Sequence, residues 1–433
     1  MKVRAGWYAF GNLGANIFSQ AFATFILFFY IDHLHAPLGA ITIAMTMQSV
    51  WHALLNPAIG QLSDRTHTAL GRRIPYIAGL SLPLGIVFFL LWHPLVPHAW
   101  LAPYFLVMVL LFDLIYLAVV LNWTSLFPEM FPTLKERTQA QLPRQMVGVA
   151  ALMIGVALPP VLYSRWGWTA MAAILAVVGT GGFLASLRGS RENPRSAAAS
   201  PPWSLWEGLQ LVRRFAGFRR FLAMNFLVQL TLGLVPAVLP FYAKYVVRVS
   251  PVGLSLLLAS IFVTAFLVIL PWTGYIRRHG SHRSLSWTIF WLMLGLTPFL
   301  WTHSLAVLFV AAVMLGVGLG GFLILADVLM AEVIDHDARA STLRREGIFY
   351  GINGFVLRLG VSVQAWLLYM TLHDTGFQAN AAASATPLVQ FGFRFLISLV
   401  PLVLLASAYL IMRHYDVPQS LGESSASLSE THS

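Results

Sequence analysis

The residues able to do chemistry in this chain stand singly inside long apolar runs. His52 and Asn56 are spaced i and i+4, which puts an imidazole and an amide on one face of a helix. Asp113 sits near the middle of a later run. It reads either as a protonatable site or as a neutral acid bonded to a neighbouring helix. Arg358 lies deep inside another run, where a charge is costly and faces a cavity or a partner. The alternative for it is a structural ion pair with Asp327. Arg394, near the start of the last run, is expected to snorkel to the outer surface. Between two runs, GQLSDRTHTALGRRIP (Gly60 to Pro75) crowds Asp64, Arg65, Arg72 and Arg73 into one turn. Such a carboxylate can accept from a helix N-terminus, and such arginines can bond carboxylates or last-turn carbonyls. That is the chemistry of a latch between helix ends. Arg137, Asp335 and Arg345 stand at comparable helix ends and join it as candidates. Topology alone also puts arginines at a membrane boundary, so the latch and the bland reading stay side by side. No HExxH cluster, nucleophile elbow or phosphate-cradling glycine loop occurs, so the sequence points away from an enzyme and implies no cofactor and no metal.

The positioning elements follow from composition. The chain is 58% hydrophobic and 10% charged over 433 residues, against roughly 25% charged for a soluble domain. At about 20 to 25 residues per span, the length fits about a dozen helices. Helices are required because backbone groups in lipid must be satisfied within the segment. The apolar pattern places spans at 6–30, 38–62, 74–94, 100–127, 145–163, 167–187, 218–246, 252–275, 285–301, 305–334, 348–372 and 391–411. The expected fold is an all-α membrane protein of twelve transmembrane helices in two six-helix bundles. Residues 1–187 form the first bundle, 188–217 a linker, 218–412 the second bundle and 413–433 a tail. The linker contains RENPRSAAASPP and then WSLWEGLQLVRRF. Trp203, Trp206, Leu209 and Leu211 set against Arg213 and Arg214 read as an amphipathic helix on the membrane surface. Continuation into the seventh span is the alternative.

The formal net charge is +11. Position decides against nucleic acid as its partner. Among the 27 Lys and Arg, only Arg165, Lys244, Arg248, Arg358 and Arg394 fall away from one side of this topology. The positive-inside bias then sets both termini in the cytoplasm. The 6–30 segment lacks a small-residue cleavage site and reads as a retained span. The absence of cysteine excludes a disulfide scaffold.

The two halves echo each other faintly. PEMFPTLKER (Pro128 to Arg137) has a counterpart in AEVIDHDARASTLRRE (Ala331 to Glu346), and the Gly60 loop a degraded one in GYIRRHGSHR (Gly274 to Arg283). Four blocks carry a family resemblance: YAFGN (Tyr8 to Asn12), WHALLNPAIGQLSDRT with GRRIP (Trp51 to Pro75), NWTSLFPEM with KERT (Asn122 to Thr138), and AEVIDHD with RREGIFYG and Arg358 (Ala331 to Arg358). In these the chain resembles the major facilitator superfamily, and within it the glycoside–pentoside–hexuronide cation symporters, the family of melibiose permease. The resemblance implies alternating access, a solute site between the halves near the midplane, and a gate at Asp64, Arg72 and Arg73. It implies a small-molecule substrate, a bacterial inner-membrane location and a monomer.

The departures are specific. Sodium-coupled members carry two carboxylates on the second span where this chain has His52 and Asn56. Without fixed negative charge there, a proton fits better than Na⁺ as coupling ion. Uncoupled transport, with His52 a mere interhelical bond, is the alternative. The family's sugar-binding acids on the first and fourth spans are Leu13 and Val120 here. Asn12, Asn16, Asn122 and Trp123 remain as candidate sugar contacts. Arg144 matches a family arginine near the substrate, and Arg358 keeps the charge of a family lysine. These substitutions suit an anionic or amphiphilic solute, such as an organic acid or a lysolipid, as well as a glycoside. A scaffold or receptor that does not transport is the third reading.

Overall fold

The computed structural model describes residues 2–131, 133–192, 205–341, 346–379 and 386–413. Arg345, Trp203 and the 414–433 tail lie outside them. The described chain is helical apart from turns and one isolated bridge between Thr68 and Gly71.

Among the described residues, ten helices are long and apolar enough to cross a membrane, and one bent pair raises this to eleven. The first four spans are Arg4–His33, Leu38–Arg65, Ile74–Trp92 and His98–Met130. A capping box at Thr133 and Glu136 then starts the helix Leu134–Ala157. It leads into Pro159–Ser186, which is folded back at Gly167 (φ 81°). After the linker come Ala216–Val247, the bent pair Pro251–Leu267 and Ile269–Leu300, then Leu305–Asp337, Gly347–Asp374 and Pro387–Arg413.

The bent pair hides a hairpin at Gly280 (φ 77°). Along the Leu305–Asp337 span, Gly316, Gly320 and Gly321 pack in turn on Ile261, Ala265 and Trp272, so those two spans run parallel. The same span meets Gly295, Leu292 and Thr288 in descending order at Ala311 to Leu315, Gly318 and Gly321. The strands of contact on either side of Gly280 are therefore antiparallel. Gly167 does the same in the first half: Gly148 and Gly155 ascend along Asn12 to Gln20, while Gly179 and Gly182 descend along it. Only glycine takes this left-handed backbone without strain. With both hairpins the described helices trace twelve passes.

Glycine also sets how closely the spans approach, as expected where small residues line helix interfaces in lipid. A Cβ on Gly316 would come 2.4 Å from the Ile261 carbonyl oxygen, and one on Gly14 within 2.5 Å of the Gly179 carbonyl.

The linker helix covers Leu205–Arg214. Phe215 (φ −105°, ψ 97°) is extended and separates it from Ala216–Tyr242, so it is not a continuation of the seventh span. Leu211 is buried, and the helix packs on the Ala216–Tyr242 and Glu346–Asp374 helices. It docks on the second half rather than on lipid alone.

Contacts between the halves gather at the end opposite the chain termini. Asp32 meets Lys244 and Tyr245, Ser255 bonds to the Ala157 carbonyl, and Phe28 packs on Phe241. At the other end the described ion pairs and ring contacts stay within one half. The molecule is closed at one face and parted at the face that carries the termini.

Gly316→Ala should push the eighth and tenth spans apart and cost about 1–3 kcal/mol through overpacking. Gly181→Ala, where a Cβ meets nothing within 4 Å, should not destabilise. Thermal unfolding of the two purified variants checks this, and equal melting temperatures would refute the packing argument.

Candidate functional site

The second span turns Gln48 and His52, one turn apart, toward Asp113 on the fourth. Gln48 Nε2 donates to Asp113 Oδ1 at 2.9 Å, and His52 Nδ1 lies 2.8 Å from the same oxygen. All three side chains are buried. Asp113 is thus a paired acid, not a solitary one, because the second and fourth spans pack along their length. Its Oδ2 makes no hydrogen bond. Asn56, one turn on from His52, is exposed and stands apart from this cluster. Gln48 escaped the sequence reading, although it precedes His52 by the same i, i+4 step that singled out Asn56.

The amides on the first span act as ties. Asn12 Nδ2 donates to the Arg144 carbonyl at 2.6 Å, and Asn16 Nδ2 to the Asn12 carbonyl at 3.0 Å. Trp123 is fully buried. Its ring stacks on Tyr8 at 5.0 Å, and its Nε1 donates to the Tyr8 carbonyl while the Tyr8 hydroxyl donates back to the Trp123 carbonyl. The Arg144 guanidinium lies 5.0 Å from the Trp123 ring and 4.8 Å from Phe127. Cation–π contact at this distance already occupies the aromatic face. Asn122 is buried, donates to the Ala118 carbonyl at 2.8 Å, and leaves its Oδ1 unbonded. Asn12, Asn16, Trp123 and Arg144 form a bracket that joins the first, fourth and fifth spans. Arg144, partly exposed, is its solvent-facing edge.

Arg358 stands partly exposed on the eleventh span, in the other half. It lies within electrostatic reach of Tyr116 on the fourth span. Tyr116 donates in turn to the Ala15 carbonyl at 3.0 Å. Among the described residues no ion pair joins Arg358 to Asp327, which is exposed on the tenth span. A short polar run lines the same seam of the second half. Asn225 Nδ2 donates to Asn353 Oδ1 at 2.8 Å, and Gln364 Nε2 lies 3.5 Å from the Leu230 carbonyl. Arg394 reaches toward the connection between the ninth and tenth spans, as expected of a snorkelling arginine. It donates to the Leu300 carbonyl at 2.5 Å and meets His303 Nε2 at 2.7 Å. Carbonyls at a helix end lack intrahelical partners and attract a cation.

The latch candidates at the parted face gather in the first half around a residue the sequence reading missed. Glu129 Oε1 accepts from Arg72 Nη2 at 2.7 Å and lies 2.9 Å from Arg73 Nε, an ion-pair contact without hydrogen-bond alignment. Asp64 is more distant, 3.7 Å from Arg72 and 3.4 Å from Arg73, and its side chain is 58% exposed against 7% for Glu129. Glu192 caps the third span: its carboxylate accepts from the amides of Arg72, Arg73 and Ile74 at 2.6–2.8 Å. An anion at a helix N-terminus is stabilised by just these free amides. Arg137 bonds to the Phe131 carbonyl at 2.8 Å, closing the end of the fourth span. Asp335 is exposed, and Arg345 lies outside the described residues. The motif FPEM signalled Glu129, but nothing local in the sequence ties Glu192 to the third span.

Removing Glu129 leaves two partly buried guanidinium groups without their close acceptor. Glu129→Gln should cost about 1–3 kcal/mol, whereas Asp64→Asn should cost about 0–1 kcal/mol, as an exposed pair does. Denaturation of both variants in the same detergent checks the order, and a larger loss for Asp64→Asn would overturn it.

The whole chain has known likenesses. A family model described as MFS/sugar transport protein matches residues 7–419. The isoprimeverose transporter of Lactiplantibacillus pentosus is 23% identical over 440 residues, covering 98% of this chain and 91% of that protein. The glucuronide carrier protein homolog of Escherichia coli is 24% identical, with 95% and 91% covered. Among solved structures, the nucleoside transporter NupG aligns with a TM-score of 0.68 at 14% identity over 96% of this chain and 100% of that one, a likeness of fold. Helices that part at one face and close at the other, with polar side chains held between them, agree with that match, and the chain belongs to the MFS/sugar transport protein family, whose members are secondary transporters and not enzymes.

Proposed function

We propose that this transporter carries a glycoside-like solute bearing an anionic group, with a proton as the coupling ion. The observation that carries the reading is Arg358: a fixed cation on the eleventh span, partly open, facing Tyr116 across the seam and free of Asp327. A guanidinium offers a planar fork to a carboxylate. The likeness to a glucuronide carrier supports a solute that is both sugar and anion. Arg144 and Asn353, both partly exposed, supply further donors for hydroxyls. Asn12, Asn16, Asn122 and Trp123 act through positioning, since their donor nitrogens are each bonded to a backbone carbonyl.

Charge distribution puts the parted face in the cytoplasm, together with both termini, in a bacterial inner membrane. The working division is 1–187, 188–217, 218–412 and 413–433, with each bundle moving as a unit. The cluster of Asp64, Arg72, Arg73 and Glu129 belongs to the inner gate, released in this state.

The coupling site is the buried cluster of Gln48, His52 and Asp113. An imidazole and a carboxylate that share one hydrogen bond can hold one proton or two, and the free Asp113 Oδ2 gives the second a place. Asn56 lies outside it.

Two measurements test these readings. A thermal-shift comparison of purified protein with a β-glucuronide and with the matching neutral glycoside should show stabilisation by the anion. Arg358→Ala should abolish that shift and the uptake, and Arg358→Lys should keep part of both, since a point charge replaces the fork. Equal stabilisation by both glycosides, unchanged in Arg358→Ala, would remove Arg358 from the substrate site. In vesicles, replacing Na⁺ by choline should leave uptake unchanged. Asp113→Asn should end accumulation driven by a pH gradient while sparing exchange. A several-fold fall on Na⁺ removal would sink the proton assignment.

A further inference from the structure

At the closed outer face, the first and seventh spans end alike. Each finishes in a five-residue π-helical turn, Phe29–His33 and Ala243–Val247. Such widened turns are frequent at functional positions. The two turns project Asp32 from one half and Lys244 and Tyr245 from the other. Asp32 accepts from Lys244 Nζ at 2.6 Å through one oxygen and from the Tyr245 hydroxyl through the other. Its side chain is 3% exposed, while that of Lys244 is 46% exposed. The ammonium also lies 5.0 Å from the Tyr245 ring and 5.8 Å from Phe28, which meets Phe241 edge to face at 5.1 Å. A cavity of about 310 Å³ runs beside the contact, lined by Trp168 and Tyr163 as well as Asp32 and Lys244.

From this geometry we infer that Asp32 is the outer latch of the transport cycle, held by Lys244 and Tyr245. Both oxygens of a buried carboxylate take their donors from the opposite half. Parting the halves at this face removes both donors at once, and a buried carboxylate without donors is strongly disfavoured. Lys244 already keeps much of its water, so its own loss on opening is small. The penalty falls on Asp32 and is relieved only when water enters from outside. The aromatic contact of Phe28 and Phe241 adds area but no such all-or-none condition. The inference uses the two-state cycle proposed above and is independent of the solute and of the coupling ion.

The test reads opening directly and needs no solute. The chain has no cysteine, so Ser255→Cys supplies one reporter. Ser255 is buried at the seam and bonds to the Ala157 carbonyl across it. Right-side-out vesicles carrying this reporter are treated with a membrane-impermeant maleimide. Asp32→Asn should raise the labelling rate by about tenfold, the effect of weakening one charged hydrogen-bond set. Lys244→Gln and Tyr245→Phe should each raise it less. The exchange of Asp32→Lys with Lys244→Asp should return it toward the parent rate. Parent-like labelling in Asp32→Asn overturns the latch. If Asp32→Asn does not fold, parent-like labelling in both Lys244→Gln and Tyr245→Phe overturns it instead. An exchanged pair that labels as fast as the single variants overturns the ion pair as its basis.

Discussion

A charge taken from water into hydrocarbon loses hydration that only a close partner or admitted water restores. Nearly every polar feature of this molecule is a response to that cost. Asp113 draws two donors from the neighbouring span, Arg394 collects a helix-end carbonyl and an imidazole, and Asp32 takes both its donors from the other half. Arg358 has no carboxylate among its described contacts and stays partly open. Where a charge cannot be matched inside one bundle, the bundles must provide either a mate across the seam or a route for water. A transporter needs both conditions, at different places and times.

The helices that hold these groups pack closely because glycine lets them touch. The hairpins at Gly167 and Gly280 fold pairs of spans back on themselves, and each pair then flanks one central span on two sides. The groups therefore keep their depth relative to each other within a half. Change between states is left to the seam, where, among the described residues, the polar contacts are few and specific.

Much of this was legible in the sequence. Apolar runs marked the passes, and four blocks marked the family, which the match over residues 7–419 bears out. The candidate positions were found by depth and charge, which a linear reading supplies. Their partners were not, because partnership depends on helix rotation and crossing. Gln48 and Asp113 are 65 positions apart, Asp32 and Tyr245 213 apart, and no local period connects either pair. Trp123 read as a candidate sugar contact, and its ring is covered, since Tyr8 and Arg144 lie on it. Linear reading also set Asp64 at the centre of the arginine cluster, whereas Glu129 is its buried member.

The carboxylate of Glu192 is pinned to the start of the third span by three amides. It is also the last described residue before the docked helix that begins at Leu205 on the second half. The connection between bundles is therefore moored at both ends, not paid out from the last turn of the sixth span. A fully extended chain covers at most about 3.3–3.6 Å per residue, so the residues between Glu192 and Leu205 span no more than roughly 45 Å. That leash sets a ceiling on how far the two halves can part at the face that carries the termini.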